Sequence, residues 1–403
     1  MIRQIGGLTL SDYLDDILSK LNGLSQDEIE KLLYRVNNIK KDFDAEDEKP
    51  LACPFCGSVH IRKHGTTKKG TPRMKCVDCG RAWTYGEKTA FSRGRIDHGM
   101  ASALITGLVE NKSIRELADA MNCSESTAHA YKLIMMDILA QKLADELSQK
   151  SANGDNLFKL SGNIQMDEYF VPLSFKGKRD PEFFIKTLER FPYHHSTLEE
   201  RKEYLIKNGL LDYVNSIPGF FEELLENTAI KKRGISNEQV CIIVGVDEYG
   251  KLLAEPISIG HLENNDAMSA LSGRFSKGCL FITDALQTYE TVAQFENIDH
   301  VAIPSDKHAK DGYNLGTINS IHSQMSKDWS KSEERIPSTK YLPQYIALFI
   351  WRWTHKDMPY SERIQLMEKT LIQGYEDYAS DYSAIKQRPF TINTKGKFKN
   401  TDV

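Results

Sequence analysis

A multidomain α+β chain is what the sequence predicts, and three observations carry that expectation. The 403 residues exceed what one ordinary hydrophobic core organises, since chains beyond about 250 to 300 residues divide into domains. Two cysteine pairs lie in a short, polar, Gly-punctuated segment from Cys53 to about Tyr85, too poor in apolar residues to hold itself together by burial. Helical periodicity then fills residues 98–150, yields near Asn163 to β-rich stretches that resume at Gln239, and returns from about Leu315.

The composition, 40% hydrophobic and 27% charged, is that of a water-soluble globular protein, and no apolar run approaches the roughly 18 residues a membrane span needs. Met1 to Leu10 lacks a signal-peptide pattern, so the expected setting is cytoplasmic, nucleoid-associated and free of membrane. The formal net charge of −4 conceals a strong asymmetry: residues 1–50 hold 7 Lys/Arg against 11 Asp/Glu, whereas residues 51–100 hold 10 against 3, a net of +7. Positive charge concentrated in that way suits a phosphate backbone.

Residues 1–48 read as a helical segment and acidic linker. Leu14, Ile17, Leu18 and Leu21 keep helical spacing, Ile29, Leu32, Leu33 and Val36 repeat it after Ser25, and the acidic run Asp42–Glu48 closes at Pro50.

Residues 49–90 carry Cys53-Pro-Phe-Cys56 and Cys76-Val-Asp-Cys79, with 19 residues between the pairs. Two residues between cysteines let a tight turn aim both sulfurs at one ion, and two such turns close a tetrahedral zinc site, a zinc ribbon. Seven cysteines are an odd number, with Cys123, Cys241 and Cys279 scattered, which favours metal in a reducing compartment over a disulfide framework; a redox CxxC is the competing explanation. Arg62, Lys63, Lys68, Lys69, Arg73 and Lys75 lie between the pairs with His60 and His64 interleaved, and Arg81 and Trp83 follow. A basic hairpin on a rigid metal site fits phosphate contact, against the plainer alternative of a solvated surface.

Residues 91–150 contain a candidate helix-turn-helix. Ser113-Ile-Arg-Glu116 is a capping box; Ile114, Leu117, Ala118 and Met121 form an apolar stripe; Asn122-Cys123-Ser124 makes a turn; and Ser124 caps a second helix through Ile138. Near the start of that second helix Glu125, Ser126, His129 and Lys132 are expected to be exposed, with Ser126, His129 and Lys132 as DNA contacts. A plain helical hairpin is the alternative.

Residues 160–360 form the expected catalytic domain, interrupted by a helical insertion at about 177–236 that ends in Lys231, Lys232 and Arg233. Asn163 to Val171 reads as a strand carrying Asp167, Val240–Val246 and Leu252–Ile259 as a hairpin turned by Asp247-Glu248-Tyr249-Gly250, and Gly278–Asp284 as a fourth strand ending in an aspartate. Each aspartate alone has the alternative role of a strand-end cap. Glu168, by alternation, faces away from Asp167. Farther on, Asn319 and His322 stand three apart on one helix face, 35 and 38 residues after Asp284. Residues 361–403 are expected to be a C-terminal helix and a loose basic tail.

With these residues in place, the sequence over about residues 50 to 355 resembles insertion-sequence transposases of the DDE type, in particular the sub-group whose signature reads Asp, Asp, Asn, His, Lys. Ser338-Thr-Lys-Tyr-Leu-Pro-Gln-Tyr345 and Trp351-Arg352-Trp353 match its later segments. The resemblance implies an RNase H-like α/β catalytic domain whose first and fourth strands are neighbours. It implies Asp167, Asp284, Asn319 and His322 as ligands of two magnesium or manganese ions, and Lys327 as a phosphate contact. It also implies double-stranded DNA, both element ends and target, as partner, with a homo-oligomer assembled on it. Two readings compete: a zinc-ribbon regulator with an inactive RNase H-like domain, and a nuclease of the same fold.

Overall fold

The computed structural model describes residues 24, 25, 28, 29, 31, 53, 56, 58–66, 72–84, 98–175, 178–192, 197–226, 238–331, 338–378, 381–388 and 390–396. Most of the N-terminal helical reading, the acidic linker, Lys68, Lys69 and the Lys231–Arg233 cluster lie outside the described residues. The chain divides into two compact units, one comprising Met1–Leu143 with Trp351–Ile385, the other Ala144–Ile350 with Lys386–Val403.

In the first unit, β1 (Ile61–Thr66), β2 (Pro72–Cys76) and β3 (Ala82–Thr84) form an antiparallel sheet in that order. Its core is minute: Cys53, Met74, Cys76 and Trp83, flanked by Ile61 and Cys79. The helical part follows as α1 (His98–Glu110), α2 (Ile114–Ala120) and α3 (Glu125–Ser148), which continues into the second unit. The predicted capping box is present: the Glu116 N–H donates to Ser113 Oγ at 3.2 Å and the Ser113 N–H to Glu116 Oε2 at 2.8 Å. α1 and α2 approach so closely that a Cβ on Gly107 would meet Leu117 Cδ1 at 2.5 Å. Asn122, at φ 50°, makes the turn, and the Thr127 N–H donates to Ser124 Oγ at 3.3 Å, so Ser124 caps α3.

The second unit is built on a five-stranded sheet. β4 (Asn163–Pro172), β5 (Gln239–Val246) and β6 (Leu252–Ile259) pair antiparallel, while β7 (Leu280–Asp284) and β8 (Asp299–Ile303) add parallel to β4, giving the order β6-β5-β4-β7-β8. The first and fourth strands are thus neighbours. β5 is buried along seven of its eight residues, and reads as a continuous Val/Ile run because both of its faces are covered. The Asp247–Gly250 turn is as expected: Gly250 takes φ 82°, and Asp247 Oδ1 accepts the N–H groups of Tyr249 and Lys251.

Between β4 and β5 the insertion carries α4 (Leu198–Lys207), α5 (Leu211–Asn215) and α6 (Phe220–Glu226) around a core of its own, including Ile185, Phe191, Leu205 and Val214. α7 (Asn264–Leu271) and α8 (Gln287–Glu296) pack together, and a short hairpin of β9 (Ala309–Lys310) and β10 (Tyr313–Asn314) leads into α9 (Gly316–Lys331). α10 (Leu342–Thr354), α11 (Tyr360–Tyr378) and α12 (Tyr382–Gln387) follow. The expectation of a loose tail fails at residues 390–396. Asn393 bridges to Ser258 of β6 and donates from Nδ2 to Asp266, while Phe390 and Ile392 are buried; an edge strand with unpaired backbone groups has found a partner in the tail.

Candidate metal centres and their surroundings

The four ribbon cysteines converge, with all four sulfurs within 4.8 Å of one another. Cys53 Sγ lies 3.7 Å from Cys79 Sγ, and Cys56 Sγ 3.7 Å from Cys76 Sγ. A zinc–sulfur bond of about 2.3 Å in a regular tetrahedron sets sulfurs about 3.8 Å apart, so the cluster could bind one zinc ion without rearrangement. Each cysteine pair sits in a backbone knuckle: the Cys53 N–H donates to Ser58 O at 2.7 Å and the Cys76 N–H to Arg81 O at 2.9 Å. Gly80 at φ 73° supplies the left-handed residue of the second. The Cys79 backbone N–H draws the Cys76 thiol down to about 7, towards the thiolate a metal requires, while burial and the neighbouring thiols push Cys56 up to about 12. Ser58 and His60 of the first knuckle both bond Asp78 of the second, tying the turns together.

Arg62 and Lys75 are directly opposed across β1 and β2, and Arg73 shares their face by alternation. Arg62, Arg73 and Arg81 are exposed, as is Lys63. Like charges set opposite one another destabilise a sheet, and an anion on that face relieves the repulsion. Trp83 belongs to the ribbon core.

In the helical part, Glu125 and Ser126 are exposed at the start of α3, but two expectations need correction. Lys132 is 3% exposed, and its Nζ donates to Lys112 O at 3.2 Å. It lies four residues after Ala128 and four before Met136, both in the core, so the helical period turns it inward. His129 is half-buried with its ring edge-on to Tyr382.

The acidic centre forms where β4 and β7 run side by side. Gln165 pairs with Ile282, and the same offset sets Asp167 level with Asp284 on one face. β7 ends at Asp284, so at the level of Glu168 no β7 residue separates the two faces of the sheet. The carboxylates of Asp167, Glu168 and Asp284 come within 4.8 Å of one another. Glu168 therefore leaves the strand on the far face, as alternation requires, yet joins the pair it was expected to stand apart from.

Burial, and then the nearby Asp284 charge, push Asp167 up to about 6; burial chiefly pushes Glu168 up to about 7. Asp167 Oδ1 accepts the Glu168 N–H at 2.9 Å, and Asp284 Oδ1 accepts the Leu286 N–H at 3.1 Å. Three carboxylates so close, part-buried, suit a hard divalent cation that takes oxygen ligands.

α9 brings His322 to the same place. Ile318, Ile321, Met325 and Trp329 form its buried stripe, and Tyr169 of β4 packs against both His322 and Trp329, at ring separations of 5.2 and 5.5 Å. His322 Nδ1 lies 3.9 Å from Asp167 Oδ2. Burial lowers the imidazole to about 4, so it is neutral at pH 7, with a lone pair available to a metal. Its Nε2 is buried without a hydrogen-bond partner.

Asn319 and Lys327 are exposed on α9, Asn319 one turn ahead of His322 on the same helix face and Lys327 five residues beyond it. Gln165 was not anticipated: its Oε1 accepts the N–H groups of Thr317 and Ile318 at 3.0 and 3.1 Å. Among the described residues no helix is long and apolar enough to cross a membrane. Known protein-family models give no match to the chain, and no curated protein matches it.

Proposed function

We propose that this protein is a DNA strand-transfer enzyme: an insertion-sequence transposase that grips element ends through its zinc ribbon and helix-turn-helix and cuts and joins with an RNase H-like domain. The observation that carries this reading is the convergence of the Asp167 and Asp284 carboxylates within 4.8 Å from adjacent parallel strands, with neutral His322 beside them. Neighbouring first and fourth strands, each bearing an aspartate, are what an RNase H-like domain requires.

Asp167 and Asp284 would hold magnesium or manganese, with His322 and, in the family's pattern, Asn319 on the helix side. Two such ions, when bound, supply activation of the attacking water or 3′-hydroxyl and stabilisation of the leaving oxygen. The chain's own part is positional. β4 and β7 fix the two aspartates, Gln165 fixes the start of α9, and the buried stripe of that helix holds His322 against Asp167. Neutral His322 adds no positive charge to the site. Lys327, exposed on the same helix, would meet a phosphate of bound DNA. The basic face of Arg62, Arg73 and Lys75 would bear on the duplex backbone.

The second reading is the regulator, because α9 carries Asn319 where a third acid is expected. Incubating the protein with labelled duplex ends, plasmid target and Mg²⁺ separates the possibilities. Joined end–target product is expected; nicking without joining indicates the nuclease, and DNA binding without either indicates the regulator.

A further inference from the structure

We infer that Glu168 supplies the third carboxylate of the divalent-cation site, the acid that α9 does not provide. This rests on the metal-dependent reading of Asp167 and Asp284.

Glu168 Oε1 and the Tyr289 hydroxyl are both buried without a completed hydrogen bond beside the acidic cluster. Tyr289 is fully buried, held edge-on against Phe281 at 5.6 Å. Its hydroxyl comes to the Glu168 carboxyl from the α8 face of the sheet without completing a regular hydrogen bond. Native interiors pair such atoms, because each one left alone costs free energy. A strand acid and a fully buried hydroxyl left incomplete side by side, at the edge of three carboxylates, indicate a ligand at that point.

The ligand's charge follows from its neighbours. Asp167, Glu168 and Asp284 lie within 4.8 Å of one another, so three acidic groups face the ligand. A cation with an oxygen preference satisfies all three carboxylates, and magnesium and manganese are of that kind. Glu168 is able to serve because β7 stops one residue short of its level, so a side chain from the far face has an open way to the pair. Position on β4 also makes it rigid: Glu168 pairs with Ile243 of the buried strand β5. A strand-borne acid of this kind replaces one on the helix without changing the count of carboxylates.

Mn²⁺ titration of the full-length protein, followed by the electron paramagnetic resonance signal of free ion and by calorimetry, tests the assignment on wild type, Glu168→Gln and Asp284→Asn. Even supporting groups around a metal are worth roughly 10- to 100-fold in affinity, so Glu168→Gln is expected to weaken Mn²⁺ by at least about 10-fold, comparably with Asp284→Asn, at an unchanged circular dichroism spectrum. Should Glu168→Gln fail to fold, Glu168→Asp, one methylene shorter, is read in the same way. Wild-type affinity in the Glu168 variant together with weak binding by Asp284→Asn overturns this inference and leaves the two-aspartate site standing. Mn²⁺ affinity unaffected by either change, or no binding by the wild type, overturns both.

Discussion

The side-chain oxygen of Gln165 accepts the backbone N–H of Thr317 at 3.0 Å and that of Ile318 at 3.1 Å, tying the start of the His322 helix to the strand that carries Asp167. The first N–H groups of a helix have no partner within it, so Gln165 both satisfies α9 and sets its height on the sheet. Gln165→Leu removes the acceptor and is expected to cost about 1 to 2 kcal/mol, since each such bond contributes about 1 kcal/mol net. Strand transfer should fall by more than that loss of folded protein explains, with end binding unchanged. Urea unfolding, joining and gel-shift assays on one preparation check this.

The acidic centre makes stability depend on pH, and a divalent ion bound there would couple that dependence to metal. Asp167 and Glu168 are raised to about 6 and about 7, above their ordinary values, so between about pH 4 and pH 7 the ion-free folded state holds more protons than the unfolded chain. Their contribution to stability is complete at low pH and is lost as pH rises through that window. A divalent ion must displace those protons, so Mg²⁺ should raise Tm clearly at pH 8 and little at pH 5. Equal shifts in thermal unfolding at the two values would show that the ion binds elsewhere.

Removing one ribbon thiol tests the other centre. With four buried apolar or sulfur side chains as its core, the β1–β3 sheet has little burial to hold it, and zinc bound by the four thiols would supply folding free energy. Cys76→Ser should reduce bound zinc from about one per chain to near zero and weaken DNA binding while leaving Mn²⁺ affinity intact. Zinc by atomic absorption staying near one per chain would refute the four-thiolate site.

The capping box at α2 gives a purely energetic prediction. Ser113→Ala removes the acceptor for the Glu116 N–H, and a lost cap costs about 1 kcal/mol; urea denaturation should show a lower midpoint with an unchanged slope.

Features set by local chemistry were readable from the sequence: the Ser113–Glu116 box, the Asp247–Gly250 turn, the cysteine knuckles and the strand borne by Asp167. The departures from these expectations come from tertiary context. Lys132 looked like a surface residue because lysine usually is, yet its place between Ala128 and Met136 turns it inward, a period visible in the sequence. Glu168 was set aside by strand alternation, which holds for the strand but not for a side chain that can pass beyond the end of its neighbour. The cost of an acid flanked by Met166, Phe170 and Val171 was the signal that could have marked it. Gln165 and the pairing of Asn393 with β6 join residues more than 100 positions apart, and nothing local announces them.

The claim that these residues join DNA is tested most directly by strand transfer with Asp284→Asn. With Mg²⁺, the wild type should join a pre-cut element end to target, and the variant should give no joined product while binding the end with unchanged affinity. Full joining by Asp284→Asn would contradict the account.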